Sequence, residues 1–131
     1  MMVSIPDYLI ARLNQSVQIA HPTWTSEQIS GHVSTRLEAL SRTPPIPWVQ
    51  NNDWVICGDD FAYYLGERTQ EDLNAMAPDG NGLAYLAQLI DAPETVGKWQ
   101  NVWDAIEAEW TTVFLFLCPQ TGAYHAVMQS F

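Results

Sequence analysis

The distribution of apolar and polar residues already divides this chain into helices and strands. In the run Val113-Phe114-Leu115-Phe116-Leu117-Cys118 both parities are apolar, which predicts a strand covered on its two faces and therefore an inner strand. Pro119-Gln120-Thr121-Gly122 has turn chemistry, and Ala123-Tyr124-His125-Ala126-Val127-Met128 resumes the strand pattern; together they predict a hairpin. At the other end Ser4-Ile5-Pro6-Asp7 reads as a helix start, and Leu9, Leu13, Val17 and Ala20, with Ile10 beside them, form an apolar stripe that His21-Pro22 ends. Thr25-Ser26-Glu27-Gln28 has capping-box form, with Ile29, Val33, Leu37 and Leu40 as the buried face of a second helix. The two helices form an antiparallel pair.

Thr43-Pro44-Pro45-Ile46-Pro47 is a stiff connector, since its prolines lack the amide donor that helix and inner strand require. After it come a strand at Asp53-Trp54-Val55-Ile56-Cys57, a turn at Gly58-Asp59-Asp60, and a second strand at Phe61-Ala62-Tyr63-Tyr64-Leu65 closed by Gly66. Thr69-Gln70-Glu71-Asp72 starts a short helix carrying Leu73 and Met76, Pro78 to Gly82 is a loop, and Leu83 to Ile90 is helical. Trp99, Val102, Trp103, Ile106 and Trp110 recur at helical spacing as a core-facing stripe. The resulting class is α+β. A small antiparallel sheet that includes the C-terminal hairpin packs with the N-terminal helix pair and an amphipathic, Trp-rich helix. One domain is expected over 1–131, with the helix pair at 1–43 and the α+β core at 48–131.

Charge changes the picture more than length does. The 131 residues carry a formal charge of −10, and the acids are regional. Nearly all of the excess falls in residues 53–109, where Arg68 and Lys98 are the only bases, and residues 110–131 hold no charged side chain. Such a surface repels nucleic acid and anionic lipid and speeds encounter with basic partners. No apolar run approaches the roughly 20 residues of a membrane span, and no basic-then-apolar leader opens the chain. A cytoplasmic protein is expected, with Cys57 and Cys118 as free thiols.

Candidate chemistry is sparse. Phosphate-cradle, nucleophile-elbow and His-Glu-x-x-His motifs are all missing. Cys118 with His125, on the two arms of one hairpin, is the only nucleophile–base pair worth naming, and no orienting group or oxyanion hole accompanies it. Asp59-Asp60 could meet a hard cation, but two carboxylates without a ligand array read as a solvated turn. No cofactor is expected.

Several blocks nonetheless form a pattern: Glu38-Ala39-Leu40-Ser41-Arg42-Thr43-Pro44 with Trp48 after it, then Trp54-x-x-Cys57-Gly58-Asp59, Tyr64-Leu65-Gly66-Glu67, and Leu115-Phe116-Leu117-Cys118-Pro119. In order and spacing, over roughly residues 38–131, they resemble the CbrC-like, colicin-tolerance family of small bacterial proteins. The resemblance implies Cys-x-x-Cys pairs of zinc-ribbon type, from which this chain departs. Asp60 stands three residues after Cys57, and Thr121 three after Cys118. Cys57, Cys118, His125 and Asp60 would be a poor donor set for zinc.

The expected function is that of an immunity protein or antitoxin, which binds and neutralises a basic toxin, a nuclease above all, through its acidic surface. Asp59, Asp60, Glu67, Glu71, Asp72, Asp104 and Glu107 are the candidate contact acids, with Tyr63, Tyr64 and Trp99 as anchors. The alternatives are a stress- or colicin-tolerance protein with another ligand, and a Cys/His thiol enzyme.

Overall fold

A computed structural model describes residues 5–43, 46–48, 52–90 and 96–130, with only the backbone described at 96–99. Pro44 and Pro45 of the expected connector lie outside the described residues. The class is α+β, and the chain divides into two compact units, Met1–Tyr63 with Cys118–Gly122, and Tyr64–Leu117 with Ala123–Phe131.

In the first unit, α1 (Asp7–Ala20) and α2 (Ser26–Ser41) pack on a small hairpin of β1 (Ile56–Cys57) and β2 (Asp60–Phe61). Leu9, Leu13 and Val17 of α1 and Val33 and Leu40 of α2 are buried, as the 3.6-residue period requires. Both halves of the capping box at Thr25 are present: its hydroxyl accepts the Gln28 N–H, and Gln28 Oε1 accepts the Thr25 N–H. His21 caps α1 at its C-terminus, with its N–H on the Val17 carbonyl.

The expected strand at 53–57 is reduced to Ile56–Cys57, and the second expected strand divides at Ala62. Ala62 N–H donates to the Val55 carbonyl and the Trp54 indole donates to the Ala62 carbonyl at 2.8 Å, so the backbone there serves a buried tryptophan. The sequence then resumes as β3 (Tyr63–Arg68) and runs through Gly66, whose φ of 108° lies outside the ordinary strand region and which no Cβ hinders.

The second unit holds the sheet β3-β4-β5, with β4 (Thr111–Leu117) inside and β5 (Tyr124–Ser130) antiparallel to it from Thr111↔Ser130 to Leu117↔Tyr124. The inner-strand expectation holds: Val113, Phe114, Leu115 and Phe116 are all buried. Val113 and Leu115 face a core of Leu73, Leu86, Leu89, Ile106 and Ala126. That core is closed by α3 (Gln70–Met76), α4 (Gly82–Ile90) and α5 (Val96–Glu107). On the opposite parity, the Tyr64 ring lies 5.5 Å from Phe116 and 6.3 Å from Phe114.

One part of the tryptophan stripe is corrected. Val102 and Trp103 pack on the core and Ile106 is buried, but Trp110 is 64% exposed. The helix stops short of it. Trp110 N–H donates to Ala105 O and Glu109 N–H to Ile106 O, with Glu109 at φ 63°, which is the hydrogen-bond pattern of a Schellman C-terminus.

Candidate functional site

The described acids of residues 53–109 fall into two kinds of surroundings. Those of the first unit are held by partners brought from distant parts of the sequence. Asp59 sits in the two-residue turn between β1 and β2, where Gly58 supplies the positive φ of 61° such turns need at their first position. His21 Nε2 donates to Asp59 Oδ2 at 2.7 Å, Gln120 Nε2 donates to Oδ1, and His32 Nε2 donates to the Asp59 carbonyl at 2.7 Å. A carboxylate and a carbonyl only accept, so both imidazoles carry their proton on Nε2. The Trp24 ring stacks on His21 at 3.6 Å, fixing the plane of the imidazole.

The hydrogen bond from His21 is the largest influence holding the Asp59 carboxyl below its ordinary value. Burial opposes it, while Gln120 and the nearby imidazoles add to it. Asp60 pairs with Arg36 at 3.3 Å and accepts the Phe61 N–H, and Asp53 pairs with Arg12 at 3.8 Å. His21, His32 and Gln120 did not stand out in the sequence, because no local spacing relates residues so far apart.

The cysteines correct a second expectation. Cys57 and Cys118 are joined in a disulfide, with Cα atoms 5.7 Å apart, so neither is a free thiol. Cys118 in this state offers no thiolate nucleophile, and His125 stands on β5 opposite Phe116. The zinc-ribbon chemistry implied by the resemblance does not fit these residues either. The two sulfurs are bonded to each other, Asp60 is engaged by Arg36, and no group of three or more His, Cys, Asp or Glu among the described residues is placed to hold a metal ion.

In the second unit the acids behave differently. Glu67 from β3, Glu71 from the first turn of α3, Glu107 at the end of α5 and Glu109 just past it line one groove of about 600 Å³. Arg68 is its only basic lining residue among the described residues; Ile106, Val113, Thr111 and Thr112 form part of its wall. Among the described residues none of the four glutamate carboxylates makes a hydrogen bond or ion pair. Glu107 and Glu109 also stand at the negative end of the α5 dipole, whose last turn carries no basic residue. The groove thus concentrates negative potential instead of cancelling it.

The other candidates scatter. Asp72 completes the α3 capping box: its carboxylate accepts the Thr69 N–H at 2.9 Å, and this bond, with that to the Thr69 side chain, lowers its pKa. Asp104 is exposed and accepts from Gln100 at 3.0 Å. Tyr63, in the first unit, is 58% exposed. Tyr64 is partly buried against the phenylalanines, and burial followed by the Glu67 charge raises its pKa. The Trp99 side chain lies outside the described residues. Glu109 lines the groove and Leu65 is exposed on β3, and the sequence reading had not singled them out.

No helix among the described residues is long and apolar enough to cross a membrane. No curated protein and no solved structure matches the chain. A family match does exist, and it reaches further toward the N-terminus than the expected start near residue 38, taking in most of α1 and all of α2. Over residues 10–130 the chain belongs to the uncharacterised protein family UPF0167, which includes the CbrC-like proteins.

Proposed function

We propose that this protein is an immunity protein or antitoxin that binds a basic toxin enzyme, a nuclease being the best chemical fit, and neutralises it by occupying its cationic active-site surface. The observation that carries this reading is the groove of the second unit, in which Glu67, Glu71, Glu107 and Glu109 converge against a single arginine. Carboxylates so placed take the positions that nucleic-acid phosphates would take against the toxin's Lys and Arg side chains. Leu65, exposed two residues before Glu67 on the same side of β3, supplies apolar contact beside them.

The backbone at Glu109 supports the same reading. The left-handed position of a helix C-terminus favours glycine, and a side chain there costs about 1 kcal/mol. Glu109 accepts that cost at φ 63° while lining the groove. Asp59, Asp60 and Asp72 leave the contact set, since their carboxylates already serve the fold. The interaction takes place in the cytoplasm, with a protein partner and not with nucleic acid or lipid.

The test is co-expression with the toxin encoded beside this chain's gene. Wild-type protein restores growth, and the Glu67→Lys/Glu71→Lys/Glu107→Lys variant, folded by circular dichroism, fails to. Full protection by that variant would exclude the groove as the binding surface.

A further inference from the structure

Two tight turns meet in the first unit. Cys57 leads into the Gly58-Asp59 turn, and Cys118 opens a second turn that Gly122 closes by donating its N–H to the Cys118 carbonyl at 2.9 Å. The disulfide joins the two turns, Gln120 of the second donates to Asp59 of the first, and a Cβ on Gly58 would stand 2.5 Å from Gln120 Oε1. In this chain each turn has one sulfur, the two are bonded to each other, and Asp60 is held by Arg36.

We propose that the Cys57–Cys118 disulfide is the clamp of this corner, which makes the corner independent of metal and dependent on redox state, opening and closing by exchange with a dithiol. Cys118 is 1% exposed whereas Cys57 is partly exposed, so an incoming thiolate attacks Cys57 Sγ. A sulfur–sulfur bond forms between the dithiol and Cys57, the Cys57–Cys118 bond breaks, and Cys118 leaves as a thiolate that takes up a proton. The second thiolate of the dithiol then attacks the sulfur that the first had placed on Cys57. Cys57 is released as a thiolate and protonated, and the dithiol departs as a disulfide, having supplied two electrons. The reverse sequence closes the clamp.

With the clamp closed, the turn at 118–122 holds the Gln120 hydrogen bond to Asp59, and Asp59 holds His21 and His32. Opening therefore reaches the carboxylate and both imidazoles. This inference stands apart from the groove, because every residue it uses belongs to the first unit.

The experiment compares the full chain purified without reductant, before and after dithiothreitol, with zinc chloride or EDTA added to each. Thiols are counted by alkylation and intact mass, zinc by elemental analysis, and stability by the melting temperature. The proposal predicts no alkylated thiol and no stoichiometric zinc before reduction, and no shift with EDTA. After reduction it predicts two alkylated thiols and a fall of about 10 °C that zinc does not restore, with movement of the His21 and His32 imidazole resonances. The Cys57→Ser/Cys118→Ser variant should melt like reduced wild type and ignore dithiothreitol; if it does not fold, the two redox states of the wild-type chain decide alone. One zinc per chain whose removal lowers the melting temperature would overturn the proposal, as would reduction that leaves that temperature unchanged.

Discussion

Asp59 and Glu67 are only eight positions apart, yet the structure uses them in opposite ways. Around Asp59 the first unit supplies His21, His32 and Gln120, and Arg36 meets Asp60. These carboxylates hold a hairpin to two helices and to the 118–122 turn, so their charge is spent internally. Around Glu67 the described residues of the second unit supply three more glutamates and only Arg68, while the hydrophobic core of Leu73, Ile106, Val113 and Leu115 does the holding. Net charge alone is therefore a poor guide to a docking surface. What matters is which acids lack a base of their own.

If that division is right, mutations should sort by region. The largest loss of stability is expected at an uncharged site of the second unit: Phe116→Ala empties a fully buried position of β4 and should cost about 3–5 kcal/mol in urea unfolding. Next comes Asp59→Ala, which removes charge-assisted hydrogen bonds to His21 and Gln120 and should cost about 2 kcal/mol. Because the folded-state pKa of Asp59 is depressed, its contribution is fully present above the ordinary value of 3.8 and is lost as pH falls through the lower folded value. Asp59→Asn should accordingly flatten the acid limb of a stability-against-pH curve.

The groove should respond differently. Glu109→Gly relieves the left-handed backbone and should raise stability by up to about 1 kcal/mol while weakening partner binding, which separates the needs of the fold from those of the interface. The smallest effects belong to Glu67→Lys, Glu71→Lys and Glu107→Lys taken singly, each expected within about 0.5 kcal/mol of wild type in thermal melts. A loss of several kcal/mol at any of these glutamates would erase the distinction between the two regions.

Local signals carried most of the secondary structure. The periods of Leu9-Leu13-Val17 and Ile29-Val33-Leu37-Leu40, the capping boxes at Thr25 and Thr69, and the doubly apolar run at Val113–Phe116 each act within a few residues, so the sequence displays them. What it hid was set by tertiary partners. Ala62 breaks a strand because Trp54 needs its carbonyl, and Trp110 leaves the helical stripe because Glu109 turns the chain two residues after α5 ends. The pairing of Asp59 with His21 spans 38 positions, and that with Gln120 spans 61. No periodicity reports contacts of that range. For the same reason the acidic tract read as one surface although Asp53, Asp59, Asp60 and Asp72 were already engaged.

The most direct measurement is the affinity of the adjacent-gene toxin for wild-type protein, for Glu67→Lys/Glu71→Lys/Glu107→Lys and for Asp59→Asn, by titration calorimetry at low and high salt. The groove account predicts a loss of about 100-fold or more for the triple reversal, little change for Asp59→Asn, and wild-type binding that weakens as salt rises. Equal affinity for the triple reversal and the wild type would contradict it.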